Sequence, residues 1–237
     1  MRGLVPRDVR LCFEGCPWLE GQMWFAERRL LLDAVRTYRP RTCVEVGTWK
    51  GGGSTYFTAL ALQETGQGVL HTWETDAGLF ETARRTYESR LPKLAPHVSF
   101  HFGDYRKAAT VPEVDCLMLD GPEDAGHTLE QLRFFEPRMP PGSVLLAHDW
   151  HTQKARLIRP LVEEGTLFRI VARVDAPVSV GFIVALKRFL SGSYAAAISP
   201  PVHDSAAASF SPRARSASPS ASTSASKRFI TTTSTAR

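Results

Sequence analysis

From Thr42 to Thr55 a short Val-rich run ends on Glu45 and Gly47, the cluster Gly51-Gly52-Gly53 follows, and Ser54-Thr55 open a segment with helical apolar spacing through Leu62. This pattern predicts a strand, a tight turn and a helix. Glycine lets the backbone turn sharply and lets a ligand approach the main chain where a Cβ would clash, while the free N–H groups of a helix start point into the same space. A small molecule is the natural occupant of such a turn. Glu45 restricts its chemistry, because a carboxylate there repels a pyrophosphate and suits a ligand that presents hydroxyls or a cationic group. The dinucleotide fingerprint Gly-x-Gly-x-x-Gly is absent, since Glu45 stands where its first glycine would be.

The rest of the chain alternates strands with helices. Apolar residues from Leu19 to Tyr38 predict a helix that ends before Arg39-Pro40, ahead of a strand at Cys43 to Val46. Further strands are expected at Val69 to Glu74, Val98 to Phe102, Val114 to Asp120 and Ser143 to Ala147. Helices are expected from Ala77 to Leu91, from Gly126 to Met139 and from about Thr152 to Glu164. Two last strands, Leu167 to Val174 and Val178 to Leu186, are joined by Asp175-Ala176-Pro177. That link is too short for a parallel crossover, so the two should pair antiparallel. The expected fold is α/β: a three-layer αβα, Rossmann-like sheet, mostly parallel, with an antiparallel closing hairpin.

Five consecutive strands carry an acid at or beside their carboxyl ends: Glu45 with Gly47, Glu74, Gly103 with Asp104, Asp120, and His148 with Asp149. Ligands of open α/β sheets bind beyond those ends. Glu74 lies about 20 residues past the glycine cluster, where parallel βαβ units bring an acid to a ribose. Asp76 competes for that role or caps the next helix. Trp49, Trp73 and Trp150 flank strand ends and either wall a pocket or pack in the core. His127 is a second candidate acid or base, and Lys50 reaches either solvent or a ligand carboxylate.

Glu45-Val46-Gly47-Thr48-Trp49-Lys50-Gly51 resembles the first motif of class I S-adenosylmethionine-dependent methyltransferases. That resemblance implies S-adenosylmethionine, a cofactor with a cationic sulfonium and no phosphate. The cofactor residues then become Glu45, Gly47, Thr48, Gly51, Ser54, Glu74, Gly103, Asp104 and Asp120, with Asp104 meeting the adenine amino group. Leu119 to His127 and Gly142 to Trp150 look like the corresponding stretches of the methyltransferase 24 group of small-molecule O-methyltransferases, and the likeness covers roughly residues 40 to 186. It implies methylation of a hydroxyl on a small-molecule acceptor, with His148, Asp149 and Asp120 as catalytic residues. In metal-dependent relatives an acid after the fourth strand and an Asp-Asp or Asp-Asn pair after the fifth hold a divalent ion. Here Asp120 and Asp149 match while His148 departs, and imidazole suits zinc, iron or nickel better than magnesium. His148 is therefore read as a general base ahead of a metal ligand in the set Asp120, His148, Asp149, with simple hydrogen bonding as the third reading.

Two other functions remain to be separated from methyl transfer. One is a catalytically silent cofactor-binding or scaffold protein, kept open by His148 and by the extra glycine in Gly51-Gly52-Gly53. The other is a nicotinamide-dependent oxidoreductase, disfavoured by Glu45.

Of 237 residues 43% are hydrophobic, enough for one substantial core. The Ser, Ala, Thr and Pro residues of 191–237 cannot bury enough surface to offset ordering, so that tail is expected to be disordered. The tail also carries +4 of the net +5, from Arg213, Arg215, Lys227, Arg228 and Arg237 against Asp204. The remaining near-neutral part argues against nucleic acid. Residues 1–39 form an N-terminal segment with a lead-in helix, and 40–190 the cofactor-binding domain. With charged residues at Arg2, Arg7, Asp8 and Arg10 and no long apolar run, the chain is expected to be cytoplasmic and away from membranes. Cys43 and Cys116 are expected to pack as small hydrophobes, and Cys12 and Cys16 to be an incidental pair. Nothing in the sequence sets the oligomeric state.

Overall fold

The computed structural model describes residues 19–21, 23–175 and 179–189. Among these, α1 (Phe25–Tyr38) leads into β1 (Thr42–Val46), α2 (Ser54–Thr65), β2 (Val69–Glu74), α3 (Ala77–Arg90) and β3 (Val98–Phe102). There follow β4 (Cys116–Leu119), α4 (Ala125–Phe135), β5 (Val144–His148), α5 (Arg159–Glu163), β6 (Phe168–Val174) and β7 (Phe182–Lys187). The seven strands form one sheet in the order β3-β2-β1-β4-β5-β7-β6. All pairs are parallel except β5 with β7 and β6 with β7. The strand expected to close a hairpin therefore inserts between β5 and β6.

Strand alternation builds two cores from one sheet. Val44, Leu117, Leu119, Leu145, Ala147, Ile183 and Ala185 point to the face covered by Leu132 and Phe135 of α4 and Val162 of α5. Their chain neighbours Cys43, Cys116, Met118, Leu146 and Val184 point to the opposite face, under Leu31 and Val35 of α1 and Phe57 and Leu62 of α2. Central strands β4 and β5 are buried along their whole length, as a strand covered on both faces must be. Cys43 and Cys116 are free, buried and opposite each other in register, so they do pack as small hydrophobes.

Two expectations need correction. The helix expected from Thr152 to Glu164 is instead a 3₁₀ turn, Gln153–Ala155, followed by the short α5, because Pro160 has no N–H to give a helix interior and is tolerated only in a first turn. The last strand begins at Phe182, since Gly181 sits at φ +101° and the carbonyls of Val180 and Gly181 accept from His151 N and Trp150 N, beyond the end of β5. A Cβ on Gly181 would lie 2.8 Å from the Trp150 side chain.

No described helix is long and apolar enough to cross a membrane. The 191–237 tail, together with Cys12 and Cys16, lies outside the described residues.

Candidate active site

Strand order reverses between β1 and β4, and a cavity of about 590 Å³ opens there beyond the strand ends. Its walls come from the loops after β1, β2, β3, β4 and β5. Gly47, at φ +97°, ends β1, and a side chain on it would meet Gly121 Cα at 3.1 Å and the Asp120 carbonyl oxygen at 3.2 Å. The main chain is thus kept bare where the two strands part. Gly51, at φ +76°, packs on the Tyr87 ring, whose hydroxyl donates to the Gly51 carbonyl at 2.9 Å. A Cβ on Gly52 would fall 1.9 Å from the carbonyl of Glu20, so the extra glycine has a structural reason: residues 19–21 cross directly over it.

Glu45 departs from its expected place. Its carboxylate is fully buried behind the turn, where it accepts from Ser54 Oγ, from Thr55 Oγ1 at 2.6 Å and from Thr72 Oγ1 at 2.7 Å. It braces the start of α2 against β2 and does not line the cavity. Burial pushes its pKa up to about 7, against the three hydroxyls, which favour the ionised form. Thr48 Oγ1 continues this hydroxyl cluster with a 2.6 Å bond to Thr72.

Glu74 does line the cavity. Its Oε2 accepts from Trp49 N at 2.8 Å, and its Oε1 accepts from Thr75 N and Asp76 N at 2.8 and 2.9 Å. A carboxylate has roughly four lone-pair positions, which leaves about one open, on Oε2, for a ribose hydroxyl. Asp76 is the N-cap of α3, accepting from Leu79 N. Gly103 and Asp104 line the opposite wall. Asp104 is held by both Nε and Nη2 of Arg106, and that pairing lowers its pKa.

Beyond β4 and β5 the site is ionic. Asp120 Oδ1 lies 2.9 Å from His148 Nδ1, His148 Nε2 lies 2.9 Å from Glu27 Oε2, and Asp149 Oδ2 lies 3.2 Å from the same Nδ1. With the three carboxylates ionised, and so able only to accept, both ring nitrogens donate and the ring is an imidazolium. Burial opposes that charge, but Asp120, Asp149 and Glu27 outweigh it and raise the His148 pKa to about 11. In that state His148 has no free lone pair with which to take a proton, which argues against its reading as a general base. Lys154 completes the array. Its side chain is 2% exposed, and Nζ donates to Asp149 Oδ2 at 3.0 Å and to Asp120 Oδ1 at 3.3 Å. Burial works to raise both acids, yet the two cations hold both pKa values down.

Glu27, Lys154 and Ser179, which hydrogen-bonds Glu27, escape the sequence patterns. One signal existed. Glu27 shares a helical stripe with Leu31, Ala34 and Val35, and an acid on an apolar stripe needs a buried partner. Lys154 gives no such sign, because a 3₁₀ turn and not a helix carries it inward.

Of the remaining candidates, Trp49, Trp73 and His127 line the cavity, while Trp150 is fully buried in the core. Lys50 pairs with Glu20 at 2.8 Å.

The sheet order, the antiparallel β7 and a cavity over the β1 turn together define a class I methyltransferase fold. Residues 44–150 match the methyltransferase 24 family model, described as a methyltransferase domain. No curated protein sequence matches the chain. Among solved structures, a methyltransferase from Geobacter sulfurreducens is 19% identical with a TM-score of 0.57, covering 78% of this chain and 93% of that one. An O-methyltransferase from Bacillus cereus in complex with SAH is 16% identical, with a TM-score of 0.56 and coverage of 78% and 93%. The O-methyltransferase TomG from Streptomyces achromogenes, involved in tomaymycin synthesis and solved with SAM, is 16% identical, with a TM-score of 0.55 and coverage of 78% and 91%. At such identities the likeness is one of fold.

Proposed function

We propose that this domain transfers a methyl group from S-adenosylmethionine to a hydroxyl of a small molecule. The observation that carries the reading is the cavity at the strand-order reversal, where the bare turn at Gly47 faces Glu74 on one wall and Gly103 with Asp104 on another. Cofactor-bound relatives of the same fold, from Bacillus cereus and Streptomyces achromogenes, agree with it. The residues present fit such a cofactor: a side chain at Gly47 would fill the cradle, and Glu74 keeps an acceptor position for a hydroxyl.

When bound, S-adenosylmethionine supplies a methyl group already activated on a sulfonium. The protein's contribution is then positional and electrostatic. Gly47, Thr48 and Glu74 hold one side of the cavity, while Asp104, oriented by Arg106, presents acceptors on the other. A volume of about 590 Å³ falls within the ~300–1,000 Å³ that small ligands occupy, which fits a metabolite-sized acceptor beside the cofactor. Oxygen is the favoured acceptor atom, because the cations of the β5 end suit a group that carries negative charge as it reacts.

Calorimetry with S-adenosylmethionine and its demethylated product, followed by incubation with labelled cofactor and a panel of hydroxyl metabolites, tests this. Saturable binding and label transfer are expected. Absence of binding would refute the reading, and binding without transfer across the panel would leave a cofactor-binding protein.

A further inference from the structure

Asp120, His148 and Asp149 bring three ligand-type atoms within 4.8 Å of one another, the arrangement a divalent ion would use. Each of those atoms is already committed. His148 Nδ1 points its proton at Asp120, with Asp149 at 3.2 Å, and so offers no lone pair for a metal. Asp120 Oδ1 accepts from that nitrogen and from the Lys154 ammonium, and Asp149 Oδ2 accepts from the ammonium and lies 3.2 Å from the nitrogen. Two carboxylates therefore face two cations in one compact ionic cluster. An ion bound to the same oxygens at about 2.0–2.2 Å would sit against a buried ammonium and an imidazolium. The donor set does not fit a metal.

We propose that Lys154 is the resident cation of this site and that its ammonium takes the place of a divalent ion, making the acceptor half of the cavity metal-independent. An ammonium has three donors, and two are used by Asp149 and Asp120. Lys154 also lines the cavity, and among the described residues no acceptor engages its third proton. That proton is the donor for the acceptor oxygen. The part concerning the acceptor rests on the methyl-transfer reading, whereas the exclusion of metal rests on the side chains alone. The acceptor hydroxyl gives its proton to water and is held as an oxyanion by Lys154. Its electron pair forms the new O–C bond, and the pair of the broken C–S bond stays on sulfur. No protein base is required, consistent with the locked His148. The preferred acceptors are hydroxyls acidic enough to ionise beside an ammonium, such as phenols and enols.

The test uses the full chain, stripped with EDTA, and Mn²⁺ binding read by electron paramagnetic resonance and calorimetry, so no acceptor is needed. Wild type and Lys154→Arg, which keeps the charge, should show no saturable site. Lys154→Met and Lys154→Gln should each gain one, at least roughly 10- to 100-fold tighter than wild type, with a melting temperature that rises on adding Mn²⁺. Adding Asp149→Asn to either should remove the gained site. Stoichiometric Mn²⁺ binding by the wild type would overturn the proposal, as would folded Met and Gln variants that bind no better than wild type. If neither variant folds without Mn²⁺, refolding in its presence decides: recovery with bound metal supports the proposal, and failure to recover overturns it. Cofactor binding by EDTA-treated wild type is measured alongside, since its loss would count against the methyltransferase reading and not against the lysine.

Discussion

The two halves of the cavity are built on opposite principles. Around β1 and β2 the site is made of backbone and hydroxyls: Gly47 leaves space, Glu45 is buried among Ser54, Thr55 and Thr72, and Glu74 is tied by three main-chain N–H groups. Beyond β4 and β5 it is made of charge, with Glu27, Asp120 and Asp149 set against His148 and Lys154. The first half is sensitive to volume and the second to the loss of any charged partner. An ionic cluster of this kind tolerates removal of one partner badly, because the partners left behind keep their desolvation cost.

The sharpest way to break the comparison is Glu27→Ala. It strips the acceptor from His148 Nε2 and Ser179 Oγ, and should cost about 3–5 kcal/mol of stability in denaturant titrations. A loss under about 1 kcal/mol would mean the array is not the unit described, since that is the scale of an exposed pair.

Glu45 tests the neutral half through pH. Its folded pKa of about 7 lies above the ordinary value of 4.5, so its contribution is fully present below pH 4.5 and is lost as pH rises through 7. Relative to Glu45→Gln, wild type should lose up to about 3 kcal/mol between pH 4.5 and 7.5. Parallel stability curves for the two proteins would show that the carboxylate is not perturbed by burial.

Gly47→Val should weaken cofactor binding by roughly 100-fold or more in calorimetry, through both the clash with Gly121 and the positive φ. The change presses on the Asp120 main chain but removes no charged partner, so the shifts expected at Glu27 and Lys154 should survive it.

The smallest effect is expected at the rim. Lys50→Ala removes a pair with Glu20 in which both side chains are about a third exposed or more, and should change stability by under about 1 kcal/mol.

How much of this was legible in the sequence follows the same division. The cofactor half lies in continuous motifs, and β2 and β3 fall on the residues their pattern predicts, because apolar residues interleaved with polar ones mark where each strand begins and ends. Glu74 and Asp104 were legible for the same reason: they follow the last apolar residue. The ionic half brings Glu27, Asp120, His148 and Lys154 together from four separate elements. No spacing encodes that meeting. It also reversed the part given to His148, since a histidine between carboxylates behaves as a fixed cation, whatever its usual pKa near neutrality. Pro160 was visible in the sequence but was outweighed by apolar spacing, and the missed break in the helix hid Lys154.

The crossing of residues 19–21 over Gly52 has one more consequence. A Cβ on Gly21 would fall 2.3 Å from the Gly52 carbonyl oxygen, so two stretches of bare main chain are pressed face to face, and neither tolerates a larger residue. The cradle is therefore finished from outside, by a segment that precedes the first helix in the chain. Gly21→Val should therefore leave the sheet folded while loosening the turn behind the cavity, read as weaker cofactor binding in calorimetry.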